Sequence, residues 1–266
     1  MSEERKIDDN LKKFLDKKVN EFNNVSFIKD DPVCLPHLFS KKQDIEVAGF
    51  FAAMFAWGIR KTIINKGTQL FQLMDNAPYD FCLNHSDNDL KRLEGFCHRT
   101  FNDTDLLYFV SFFKHHYSKN KSLESALFNE NVLKVSNSSN VIENSLNQFN
   151  AYFFSLEDVP ERTKKHVASP KKNSSCKRLN MFLRWMVRND NKGVDFGLWK
   201  KIQPSDLICP VDVHVARVSK HFNLLQRKQV DWIAALELTE QLRKFDKNDP
   251  VKYDFALFGL GILEKY

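Results

Sequence analysis

Cys176-Lys177-Arg178-Leu179-Asn180-Met181-Phe182-Leu183-Arg184-Trp185 and, further on, Pro210-Val211-Asp212-Val213-His214-Val215-Ala216-Arg217-Val218 decide how this chain is read. In the first segment Leu179, Phe182, Leu183 and Met186 recur at helical spacing, so one face of the helix is apolar and Lys177, Arg178 and Arg184 are left to point elsewhere. Ser174 or Ser175 is expected to cap that helix. The second segment predicts a helix opened by Asp212, with Val215, Val218 and Phe222 turned inward. Each polar residue has an ordinary structural reading. A lysine in the first turn of a helix in a basic protein is solvated or touches a phosphate, and an aspartate ahead of an apolar helix bonds its free amides. Together, a primary amine and a carboxylate also make a pair suited to covalent amine chemistry.

Composition narrows the class. At 266 residues the chain is one large domain or two small lobes. It holds 24 Phe against 8 Gly and 8 Pro, and its long segments show helical spacing rather than strand alternation, so an all-α fold is expected. Net charge is +6, which permits a polyanionic partner without demanding one. The charge is unevenly spread. Lys164, Lys165, His166, Lys171, Lys172, Lys177, Arg178, Arg184 and Arg188 fall in one 25-residue stretch around the first motif, which makes that stretch the phosphate-binding candidate. The five cysteines are scattered with no C-x-x-C pair, arguing against a zinc site or a disulfide framework and for a reducing compartment. Cys176 and Cys209 are read as small buried apolar residues. Residues Met1 to Lys6 carry acidic groups with no apolar run behind them, so no signal peptide is expected. The most apolar segment, Val47 to Gly58, is 12 residues long, too short to span a bilayer.

Along the chain the patterning predicts helices near 8–22, 44–58, 61–75, 103–117, 121–128 and 140–154, then a hairpin within 156–190 that leads into the lysine helix. Gly58 is expected to stop the second helix, and Asp249-Pro250 to cap the last.

With these motifs in order, the chain resembles the helix-hairpin-helix DNA glycosylases. Lys177 stands in a K-x-x-x-x-F-L-R frame where that superfamily has its lysine nucleophile, and Asp212 stands in a V-D-x-H-V-x-R-V frame where it has its catalytic aspartate. The look is nearest to members that remove 8-oxoguanine and cut the strand. The resemblance implies a two-lobed all-α fold, with a cleft between the lobes for the flipped base. Residues 40–190 would form the first lobe, ending in the hairpin and lysine helix, and 1–39 would pack with 191–266. It implies an amine that displaces the damaged base at C1′ and holds the sugar as a Schiff base, assisted by the carboxylate. It also implies DNA contacts from Lys171, Lys172, Ser174, Ser175, Arg178, Arg60 and His214, and a base pocket walled by Trp57, Asp254 and Phe258. Gly95, His98 and Arg99 are read either as DNA contacts or as a helix cap.

Over its whole length the chain is similar to a bacterial family of unassigned function, through Asp44-Ile45-Glu46-Val47-Ala48-Gly49-Phe50-Phe51-Ala52-Ala53, Gly95-Phe96-Cys97-His98-Arg99-Thr100-Phe101 and Asp249-Pro250-Val251-Lys252-Tyr253-Asp254-Phe255-Ala256-Leu257. Two departures from the glycosylase pattern stand out. The hairpin Ser169-Pro170-Lys171-Lys172-Asn173-Ser174-Ser175 has no glycine, and Lys177 and Asp212 are 35 residues apart, which an inserted turn over Asn189 to Gln203 would explain. No cysteine follows Cys209, so the four-cysteine iron–sulfur loop of some members is missing. The expectation is a cytoplasmic, monomeric, nucleoid-associated repair enzyme without metal or organic cofactor or membrane, acting on double-stranded DNA with an oxidised purine. Two alternatives stand beside it: a glycosylase in which Asp212 activates water, and a non-catalytic damage-sensing protein on the same scaffold.

Overall fold

The computed structural model describes residues 9–137, 139–262, 264 and 266. Among them run α1 (Asp9–Phe22), α2 (Val25–Ile28), α3 (Lys42–Phe55), α4 (Arg60–Leu73), α5 (Pro78–Asn84), α6 (Asp87–Lys91), α7 (Asp103–Tyr117), α8 (Glu124–Leu127), α9 (Glu130–Val135), α10 (Val141–Phe153), α11 (Lys177–Val187), α12 (Val213–His221), α13 (Trp232–Phe245) and α14 (Tyr253–Ile262). The only strands among the described residues are β1 (Cys97–His98) and β2 (Phe101–Asn102), a two-residue antiparallel ladder. The fold class is all-α, as composition and periodicity imply. Among the described residues no helix is long and apolar enough to cross a membrane. The N-terminal stretch Met1 to Lys6, from which no signal peptide is expected, lies outside the described residues, as does Asp8 at the start of the first expected helix.

The chain divides into two compact units, one from Ile28 to Ser169 and the other from the described residues up to Phe27 together with Pro170 onward. This corrects the expected lobes. The lysine helix belongs with the two chain ends, and the boundary falls at Ser169–Pro170 rather than near 190. The reason is that the buried cations of α11 find their carboxylates in the C-terminal third of the chain.

In the middle unit, α3 is buried without a break from Ile45 to Phe55, because Phe50 and Phe51 pack into rings from α7 and α10, namely Phe109, Phe113, Phe149 and Phe153. A helix apolar on all sides must be enclosed, and this one is. Its single buried charge, Glu46, is satisfied by the Tyr117 hydroxyl at 2.9 Å, the Leu123 amide at 2.9 Å and the Ser122 hydroxyl. Buried Asp105 accepts from the Asn102 amide at 3.0 Å and the Thr163 hydroxyl at 2.7 Å, with His166 Nε2 at 3.2 Å, and so ties residues 161–166 to α7. The α3 helix stops at Phe55, three residues before the expected Gly58, with the Ala56 and Trp57 amides already turned back to Ala53 and Phe55. The α6 helix, unread in the sequence, is set by a capping box between Ser86 and Asp89.

The other unit is built around α14. Gly259 and Gly261 are what let two helices approach it. A Cβ at Gly259 would fall 2.2 Å from the Phe22 ring of α1, and one at Gly261 would fall 3.2 Å from His214 Cβ and 3.3 Å from Val218 Cγ2 of α12. Asp249 does not cap the last helix through its side chain. A 3-10 turn over Pro250–Lys252 intervenes, and the Asp249 carboxylate instead receives Arg188 Nε at 2.9 Å and 3.1 Å.

The segment from Asn189 to Gln203, expected only as a spacer, folds back along α11. The Phe196 amide donates to the Trp185 carbonyl at 2.8 Å and the Trp199 amide to the Met186 carbonyl at 2.9 Å, satisfying acceptors that the helix end leaves open. It also brings Asp195 between Arg184 (Nε to Oδ1, 3.3 Å) and Arg188 (Nη1 to Oδ2, 3.0 Å). Arg184 further pairs with Asp254, and Arg188 with Asp190 at 2.7 Å. These arginines are 4% and 2% exposed, so two of the cations assigned to a phosphate-binding run are internal. His166, also in that run, is buried against Asp105.

Arg188→Met should destabilise the fold by about 3–5 kcal/mol in chemical denaturation at pH 7, because it removes the cation shared by Asp190, Asp195 and Asp249 and leaves buried Asp195 with Arg184 alone. Burial already raises the Asp249 carboxyl against the pull of Arg188, and without that cation it rises further, so in the variant stability is lost as pH rises. The deficit against wild type should therefore shrink between pH 7 and pH 5.

Candidate active site

Lys177 is the first residue of α11, and the turn that delivers it is made without glycine. Pro170–Lys172 form a 3-10 turn, closed by the Asn173 amide on the Pro170 carbonyl at 2.8 Å. Asn173 (φ 52) and Cys176 (φ 50) are then both left-handed. Asparagine tolerates that region, whereas at Cys176 it costs roughly 1–2 kcal/mol. The cap position of α11 is Cys176, which makes no side-chain cap bond. This corrects the expectation that Ser174 or Ser175 caps the helix, since both hydroxyls are engaged elsewhere. Ser174 Oγ accepts from the Cys176 amide at 3.1 Å, and Ser175 Oγ donates to the Val211 carbonyl at 3.0 Å.

Asp212 caps α12, and its two oxygens do different things. Oδ1 accepts from the His214 amide at 2.9 Å and the Val215 amide at 3.0 Å. Oδ2 lies 3.9 Å from Lys177 Nζ. The structural and chemical readings of this residue are therefore compatible. The Lys177 and Asp212 side chains are 21% and 23% exposed, so the pair is open enough to meet a ligand and enclosed enough to keep its orientation.

Behind the pair stands Asp254. Burial pushes its carboxyl up to about 6, against the pull of Arg184 and Lys177, while Asp212 pushes in the same direction as burial. Arg184 also lies over the Phe255 ring, 4.2 Å from its centroid. Asp254 thus meets a cationic partner, and Arg184 and Asp195 join the surroundings of the site although neither was read as part of it. Arg184 stands within the lysine motif itself; the signal missed was that an arginine seven residues after Lys177 shares its side of the helix.

Of the remaining expected site residues, Lys171 and Lys172 are exposed on the turn before α11, and Arg178 is half-buried, with burial lowering its pKa. His214 is half-buried beside Gly261, its Nδ1 enclosed without a hydrogen-bond partner among the described residues. Phe258 is half-buried and meets Phe27 edge-on at 6.3 Å. Trp57 and Arg60 belong to the middle unit, where Trp57 lies half-buried beneath the Arg99 guanidinium at 4.3 Å and Arg60 opens α4. Gly95 and His98 have local partners. The Gly95 amide donates to Asp103 at 2.8 Å, and His98 Nε2 donates to the Phe55 carbonyl at 3.1 Å. The thiols of Cys176 and Cys209 are buried and their pKa values raised by that burial, Cys176 to about 12. Among the described residues no group of three or more His, Cys, Asp or Glu is placed to hold a metal ion.

Fold and site together define an all-α protein with a partly exposed amine–carboxylate pair at the starts of two successive helices. Residues 31–263 match the model of the family described as "Protein of unknown function (DUF2400)", and the chain belongs to that family. No curated protein and no solved structure matches it.

Asp212→Ala should lower stability by about 1 kcal/mol through loss of the α12 cap, and Asp212→Asn should recover most of it, since asparagine caps equally well. Thermal unfolding of the two variants checks this. Equal losses would mean that the bonds from Oδ1 contribute nothing.

Proposed function

We propose that this protein is a DNA glycosylase with associated strand-cleaving lyase activity, acting on an oxidised purine of the 8-oxoguanine type. The observation that carries the proposal is the Lys177–Asp212 pair, in which one carboxylate oxygen is held by two backbone amides and the other is turned to the amine at 3.9 Å. In this reading the Lys177 nitrogen attacks C1′ as the C1′–N bond breaks, and the purine leaves as its anion, which takes a proton from water. Loss of a proton from nitrogen and opening of the sugar ring then give the Schiff base. Removal of a C2′ proton from it expels the 3′ phosphate and cuts the strand. Asp212 shields the positive charge developing at the sugar and takes up the proton.

Two further features support DNA as the partner. The α11 helix starts without a side-chain cap, so its first-turn amides suit a phosphate. Lys171 and Lys172 are exposed on the turn just before it. The serine hydroxyls are bound into the fold, so in this reading the phosphate grip rests on the amides and the two lysines.

Lys177→Gln should abolish borohydride trapping of the protein on lesion-bearing duplex while retaining most binding, because an amide cannot form the imine. Wild-type levels of trapping in the variant would remove Lys177 from the role of nucleophile. Replacing Lys171 and Lys172 together by Ala should flatten the plot of log K against log salt by about one unit for each phosphate no longer neutralised. Single-turnover chemistry on saturated DNA should stay nearly unchanged. An unaltered slope would put the DNA elsewhere.

A further inference from the structure

We infer that Ser175, held in place by Asn180, is a positioning residue that fixes the Asp212 carboxylate against the Lys177 amine; the inference rests on the function proposed above. Four bonds carry it. Asn180 Nδ2, one turn into α11, reaches back to the Ser175 carbonyl at 3.1 Å. Ser175 Oγ donates to the Val211 carbonyl at 3.0 Å. Val211 is the residue before Asp212, whose Oδ1 is in turn fixed by the first amides of α12. The segment opening the lysine helix and the segment opening the aspartate helix are thereby joined by a side-chain bond two residues before Lys177 and one residue before Asp212.

Asn180 also shows what this link requires. It is 1% exposed, and its Oδ1 is buried without a partner among the described residues. An amide so enclosed, with one end unsatisfied, carries a desolvation penalty that leucine would avoid. What asparagine adds at this position is the donor to Ser175. Because Cys176 is left-handed and supplies no cap, the register of Lys177 relative to Asp212 depends on these side-chain bonds rather than on the usual helix-start contacts. Misplacing a reacting group by about 1 Å can cost on the order of a hundredfold in rate.

The test measures the single-turnover rate of borohydride-trapped adduct formation on duplex with an abasic site, at saturating protein, for Ser175→Ala, Ser175→Thr and Ser175→Ala in the Asp212→Asn background. Ser175→Ala should slow trapping about tenfold, with DNA affinity within about twofold of wild type. Threonine, which keeps the hydroxyl, should restore the rate. In the Asp212→Asn background the same change should matter less than about twofold, since positioning a carboxylate is pointless once it is gone. Equal losses in both backgrounds, or no loss in either, would overturn the inference. Ser175→Cys, similar in shape but a weak donor, replaces alanine if that variant does not fold. If wild type forms no adduct, the proposed function falls and the clamp is judged on its own. Reductive methylation of Lys177, followed by peptide mass spectrometry, should then run at least about twofold faster in Ser175→Ala than in wild type, as the amine is released from the carboxylate. An unchanged methylation rate would overturn the clamp as well.

Discussion

Arg184, on the buried side of α11, and Arg188, at its C-terminal cap, lie one turn apart, and each would cost several kcal/mol in that position without a carboxylate to meet it. The carboxylates come from three places in the sequence: Asp190 and Asp195 on the segment that folds back after the helix, Asp249 on the approach to α14, and Asp254 on α14 itself. Satisfying two guanidiniums therefore fixes α11 against α14 and holds the returning segment down at once. An apolar interface would permit sliding by a fraction of a turn. This one does not, because a shift that mismatched one pair would mismatch the others. The amine of Lys177 inherits its location from that constraint.

The second constraint is local and concerns the division of labour within Asp212. A carboxylate that only capped α12 would spend its bonding on amides, and one that only paired with a lysine would be free to swing. Here one oxygen is anchored by two amides, which leaves the other a narrow range of directions, and Lys177 stands in that range. Asp254, close behind, has its carboxyl raised by burial and is held by its ion pair with Arg184.

Helical periodicity made most of the long helices legible, and the cap ahead of α12 was legible because aspartate before an apolar run has a single local meaning. The Lys177–Asp212 juxtaposition was anticipated from two motifs, although nothing in residue spacing alone brings positions 35 apart to 3.9 Å. What sequence reasoning missed was non-local or conformational. A left-handed Cys176 has no signature, since the residue type disfavours that conformation and only surrounding structure enforces it. The arginines of α11 read as surface cations because a charge pattern does not say whether carboxylates distant in sequence will close over it. The lobe boundary shifted for the same reason.

The unit that holds the candidate site is assembled from two separate stretches, one up to Phe27 and one from Pro170 onward, with residues 28–169 lying between them. During synthesis the apolar face of α1, with Leu15, Val19 and Phe22, leaves the ribosome well before Gly259, against which Phe22 rests. The middle segment can collapse around α3, α7 and α10 as soon as it emerges, but α1 waits until α14 has been made. The Lys177–Asp212 pair can thus be organised only after α14, which carries Asp254 and packs on α12, has been made.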